Sequence, residues 1–82
     1  MGKATAKFEF FWPGLQRVVF TQHEVNKHSS QWNIGKKPAE FGTDDFNEAV
    51  GDLLFERLGE EHHEFVEKTL DNATIGRHVR RF

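Results

Sequence analysis

Between residues 43 and 72 the apolar positions recur at steps of three and four. Phe46, Ala49, Val50, Leu53, Leu54 and Leu58 share one helical face. Thr43, Asp44 and Asp45 stand where that helix begins, with an N-cap oxygen and two acids suited to the positive dipole end. Asp45 and Glu48 also have capping-box spacing. Gly59 interrupts the run, yet His62, Phe65, Val66 and Thr69 stay in phase with it, so one kinked helix and two shorter helices both fit. Asp71-Asn72 reads as a stop.

The N-terminal pattern has a period of two. Ala4, Ala6, Phe8, Phe10 and Trp12 alternate with Thr5, Lys7 and Glu9, which predicts a strand. Pro13-Gly14 marks a turn, and Leu15 to Asn26, centred on Val18-Val19-Phe20, is the second strand. A two-residue loop would pair Phe10 with Arg17. An odd-length loop pairs Phe10 with Val18 and Phe8 with Phe20, apolar against apolar, and is preferred. Residues 26–42 read as irregular, although Ser30, Trp32 and Ile34 alternate with Gln31 and Asn33 as a short third strand would. At the other end, Ile75, Val79 and Phe82 have helical spacing, with Thr74 as cap.

These patterns predict one small globular α+β domain over residues 1–82. An N-terminal antiparallel β-hairpin, with room for a third strand, packs against one long or two shorter C-terminal helices. Phe8, Phe10, Val18, Phe20, Phe46, Val50, Leu53, Leu54, Phe65 and Val66 form its expected core. Leu, Ile, Val and Phe make up 22 of 82 residues, too many for a disordered chain. No run is long and apolar enough to suggest a membrane span. There is no Cys, hence no disulfide or thiolate chemistry, and a cytoplasmic protein is expected.

Charge changes the picture more than composition does. The net charge is only −2, but residues 1–42 carry six basic and three acidic groups, residues 43–74 two basic and ten acidic, and residues 75–82 three Arg. Asp44, Glu48, Asp52 and Glu56 line the helix face opposite the apolar stripe, and Glu60 continues them. Such a face steers a partner of opposite charge. Phe55 lies off the apolar stripe, and Trp12 and Trp32 fall at a turn and in a loop. These aromatics are the candidate anchors of a contact surface. The leading expectation is therefore a non-catalytic protein–protein interaction module: an adaptor, inhibitor or regulatory subunit, acting as monomer or homodimer. It would recognise a basic protein surface through Asp44, Glu48, Asp52, Glu56 and Glu60, with Phe55 or Trp32 as anchor. No cofactor is implied. Nucleophile elbows, P-loops and dinucleotide-binding glycine motifs are missing from the sequence, and a core this small leaves little room for an enzyme-sized pocket.

Two other chemistries compete. The run Glu64–Lys68 followed by Ala73–Arg81 resembles the end of a helix-turn-helix. That resemblance implies a small DNA-binding regulator, with Thr74 capping a recognition helix and Arg77, Arg80 and Arg81 meeting bases and phosphates. The five His are the third candidate. His23 and His28 are five apart, and His62 and His63 are adjacent, so neither pair shares a helical face. A metal site would have to be assembled from His23, His28 and His62 or His63 across the fold.

Overall fold

The alternating N-terminal run folds as β1, Lys7–Phe10, in a computed structural model that describes residues 6–30 and 38–82. Antiparallel to it runs β2, Val18–Thr21. The register is the apolar one: Phe8 lies opposite Phe20 and Phe10 opposite Val18. Between the strands Pro13-Gly14 occupies the corner of a β-turn. Leu15 N–H donates to Trp12 C=O at 3.0 Å, and Gly14 has φ +90°, the left-handed value that a type II turn requires at that position.

After β2 the chain departs from the sequence expectation. The second strand stops at Thr21, and α1 spans Gln22–Ser29. Thr21 accepts from Glu24 N–H while the Glu24 carboxylate accepts from Thr21 N–H, a reciprocal capping box that satisfies two donors at the helix start. Val25 and Ser29, one turn apart, face the core. The proposed strand around Trp32 lies outside the described residues.

The long apolar stripe resolves into two helices. α2, Asp44–Leu58, starts at the Thr43 cap, which accepts from Phe46 N–H at 3.2 Å; Asp44 and Asp45 sit in its first turn, so the Asp45–Glu48 box is not the start signal. Gly59 ends α2 with φ +87°, and a short 3-10 turn at Glu60–His62 leads into α3, His63–Thr69. Asp71 does not stop the helical region; its carboxylate caps α4, Asn72–His78, by accepting from Thr74 N–H at 2.9 Å. Thr74 is therefore inside a helix, not at its cap.

The C-terminal segment is the main correction. Residues 73–82 are not one helix: after α4, Val79–Arg81 extends as β3 and pairs antiparallel with β1. The sheet order is β2-β1-β3, so the three strands include one that the sequence did not predict. Helical spacing misled because Ile75 and Val79 are both buried, although the chain passes from helix to strand between them. What decides is the open edge of β1, whose backbone groups Val79–Arg81 satisfy.

The helices cover one face of the sheet. Phe8, Phe20 and Phe46 interlock at ring-centroid distances of 5.1–6.4 Å, and the half-exposed Phe41 closes the cluster. Of the expected core only Phe65 is left partly exposed; Val25, Ala39, Leu70, Ile75 and Val79 join it. At the crossing of α2 and α4, Gly76 lies so close to the buried Asn47 that a methyl there would stand 2.8 Å from Asn47 Nδ2.

Candidate binding groove

Helix α2 turns Glu48, Asp52 and Phe55 toward the same side because they are spaced at four and three residues. α3 and the first turn of α4 form the opposite wall. Between them is an open groove of about 690 Å³. Its apolar lining comes from Phe55, Val66, Leu70 and Ile75. Gly51 deepens the floor, since a methyl there would already lie 3.4 Å from Ile75 Cδ1. Glu48, Asp52, Glu67 and Asp71 supply four carboxylates, and among the described residues no Lys, Arg or His lines the groove.

The two cations between residues 43 and 74 are directed elsewhere. Arg57 pairs with Glu24 of α1 and donates to Val19 C=O on β2 at 3.2 Å. Lys68 pairs with Glu64 at 2.9 Å, one turn back along α3. Asp71 is held ionised: the Thr74 N–H it caps lowers its pKa below the ordinary carboxylate value, with Arg77 adding a little. The groove thus presents an apolar strip beneath negative charge.

A second hollow of about 370 Å³ adjoins it, lined by His28, Asp52, Phe55, Glu56 and His63. Asp52 and Phe55 border both hollows. Phe55 is half-buried, with its ring edge-on to His63 at 4.9 Å, so it packs on the second helix as well as facing outward. His28 Nε2 is 3.2 Å from Glu56 Oε1.

The sequence-predicted acids therefore divide. Glu48 and Asp52 meet at the groove, and Glu56 belongs to the second hollow. Asp44, in the first turn of α2, and Glu60, beyond Gly59, line neither. Trp32 lies outside the described residues. Trp12 is no exposed anchor: it is half-buried, with its ring 5.8 Å from Phe65 and 4.6 Å from His78. Sequence reasoning missed the parts of Glu67 and Asp71. The signal was available in the spacing: Val66 and Leu70 form one row and Glu67 and Asp71 the next, each four apart.

The fold also rearranges the competing chemistries. Arg77 stands on α4, whereas Arg80 and Arg81 stand on β3, so the recognition helix that would carry all three is not formed. Of the His, His28 and His63 share a hollow; His62 lies by Glu61 at 3.4 Å and His23 is exposed on α1. Among the described residues no three His, Asp or Glu side chains are arranged to hold a metal ion. Among the described residues, too, no helix is long and apolar enough to cross a membrane. Comparison with protein-family models, with curated proteins and with solved structures finds no match to this chain.

Proposed function

We propose that this protein is a non-catalytic binding module whose α2–α3–α4 groove receives a basic, amphipathic segment of a partner protein. One observation carries the reading: among the described residues, four carboxylates and no cation line a groove floored by Phe55, Val66, Leu70 and Ile75. An apolar side chain of the partner would enter against Phe55, and flanking Lys or Arg would meet Glu48, Asp52, Glu67 and Asp71. The apolar contact supplies most of the affinity, whereas the charges supply orientation, selection and association rate. A cytoplasmic adaptor or inhibitor that engages a basic surface fits this design. Among the described residues the groove's lining holds carboxylates and one amide but no Ser, Thr or His side chain, which favours binding over nucleophilic chemistry.

The probe is a labelled helical peptide of alternating Lys and Leu turns, with a Glu-for-Lys counterpart as control, titrated by fluorescence anisotropy. The Lys peptide should bind and the Glu peptide should not. Asp52→Lys with Glu67→Lys should weaken binding by about tenfold or more and flatten its salt dependence. Phe55→Ala should weaken it comparably while leaving the salt dependence in place. Equal binding of both peptides, or indifference to the double reversal, would refute the proposal.

A further inference from the structure

The opposite face of the molecule has a different character. Phe8, Phe10, Val18 and Phe20 point to the helices, so the alternate residues of the sheet point away. On that outer side Glu9 is flanked by its cross-strand partners Val19 and Arg80. Lys7 is exposed one pleat further along β1. Arg17 stands just before β2 and pairs with Glu9, the one acid of the row. Two aromatic rings stand out from this face: Phe11 is 53% exposed and Phe82 61%. Phe82 N–H donates to Lys7 C=O at 2.9 Å, so it lies beside one end of β1, and Phe11 follows the other end. Their attachment points are about 14 Å apart, at 3.4 Å per residue along the strand. The Arg17 guanidinium lies 5.9 Å from the Phe82 ring centroid.

We infer that this sheet face is a platform for single-stranded nucleic acid, on which bases stack against Phe11 and Phe82 while Lys7 and Arg80 meet the phosphates. The argument is one of complementarity. Glu9 is already engaged by Arg17, which leaves the face net positive in a molecule whose net charge is −2. Exposed rings interleaved with cations match a ligand that alternates flat faces with negative charge. A duplex meets the cations but keeps its base faces inside the stack, where the rings cannot reach them. A second copy seated face to face would set Lys7 and Arg80 against their own kind. The inference is independent of the groove, which lies on the helical side, and it gives Arg80 a phosphate contact without a recognition helix.

The test is anisotropy of a labelled oligothymidine of about 12 nucleotides, a length within the usual site size of such platforms. It is run beside a duplex of equal length and with polyglutamate as competitor. The substituted residues are exposed, and circular dichroism confirms that each variant is folded. The single strand should bind more tightly than the duplex. Phe11→Ala and Phe82→Ala should each weaken binding about fivefold or more, the loss expected of one stacked base. Arg80→Ala should lower the salt slope by about 0.7, as for one phosphate on a single strand. Phe55→Ala, on the groove side, should change nothing. No saturable binding at low salt would overturn the inference, as would equal affinity for the duplex, indifference to both Phe substitutions, or full displacement by polyglutamate.

Discussion

Glu24 does three things with one carboxylate. It closes the capping box of α1, pairs with Arg57 of α2, and through Arg57 links both helices to the Val19 carbonyl of β2. Partial burial works against its charge, but the Thr21 N–H and Arg57 outweigh it, and the net pKa falls below the ordinary 4.5. The sign follows. A carboxylate with a lowered folded pKa contributes stability that is present in full above pH 4.5 and is lost as pH falls through the lowered value. Asp71 behaves in the same way for α4, with its ordinary value at 3.8. Urea midpoints measured from pH 7 to pH 3 should therefore decline at the acid end. Glu24→Gln keeps a capping-box side chain and removes the charge. It should cost a few tenths to about 1 kcal/mol at neutral pH, as for a half-exposed ion pair, and should flatten the acid decline. Asp71→Asn retains a good cap and should flatten that decline too, with little change at neutral pH. An acid slope untouched by both substitutions would mean that other carboxylates govern it. Thr21→Ala, which removes the cap oxygen, should cost about 1 kcal/mol.

At the scale of elements, the crossing of α2 over α4 depends on missing side chains. Gly76 admits the buried Asn47, and Gly51 admits Ile75. An Ala at position 76 gains about 1 kcal/mol of helix propensity but places its methyl 2.8 Å from Asn47 Nδ2. Asn47 is short and enclosed, so the overlap should win and Gly76→Ala should destabilise. Asn47→Ala removes the obstacle, and the double variant should recover most of the loss. A thermal-unfolding cycle should show a coupling of about 1 kcal/mol or more; simple additivity would mean that Gly76 and Asn47 are not in close contact. These contacts also explain what the sequence could reveal. β1, β2, their register and α2 were legible because each buries a periodic face, such as Phe8-x-Phe10 or Phe46 through Leu58. α1 was hidden because it buries only Val25 and Ser29, too few for a period; its one clear signal was Thr21-x-x-Glu24, the spacing of a capping box. β3 was hidden because pairing with β1 is a long-range event that a nearby stretch of sequence does not encode. The groove was half legible: α2 showed Glu48, Asp52 and Phe55, but only the turn at Gly59 brings Glu67 and Asp71 to face them.

Across the whole molecule the charges are sorted, and the sorting carries a cost in stability. Along α2, Asp44, Glu48, Asp52 and Glu56 follow one another at four-residue steps, a spacing at which like charges repel by about 0.2–0.5 kcal/mol per pair. Ion pairs offset part of this, but Arg57 and Lys68 spend themselves on Glu24 and Glu64, off that row. A helix under no constraint but folding would intersperse Lys among these acids. Keeping Glu48 and Asp52 unmixed with Lys beside an apolar groove is what a site for a basic ligand would require, and functional sites are where a chain departs from its own stability optimum. Two opposed effects of salt then compete. Screening weakens the few ion pairs, and it relieves the acid row. The row is the larger of the two, because exposed pairs are worth about as little as each repulsion and, among the described residues, most of the acids between residues 43 and 74 have no paired cation. Moderate salt should accordingly raise the unfolding midpoint. Glu48→Lys should raise stability further at low salt, by about 1 kcal/mol or somewhat more, because it converts two repulsions into two attractions of similar size. The same substitution should weaken the Lys–Leu peptide severalfold. Stability gained and binding lost in one variant is the signature of a row kept for its ligand. If Glu48→Lys instead lowers both stability and binding, the acid is part of the scaffold, and the groove loses its strongest claim to be the working face.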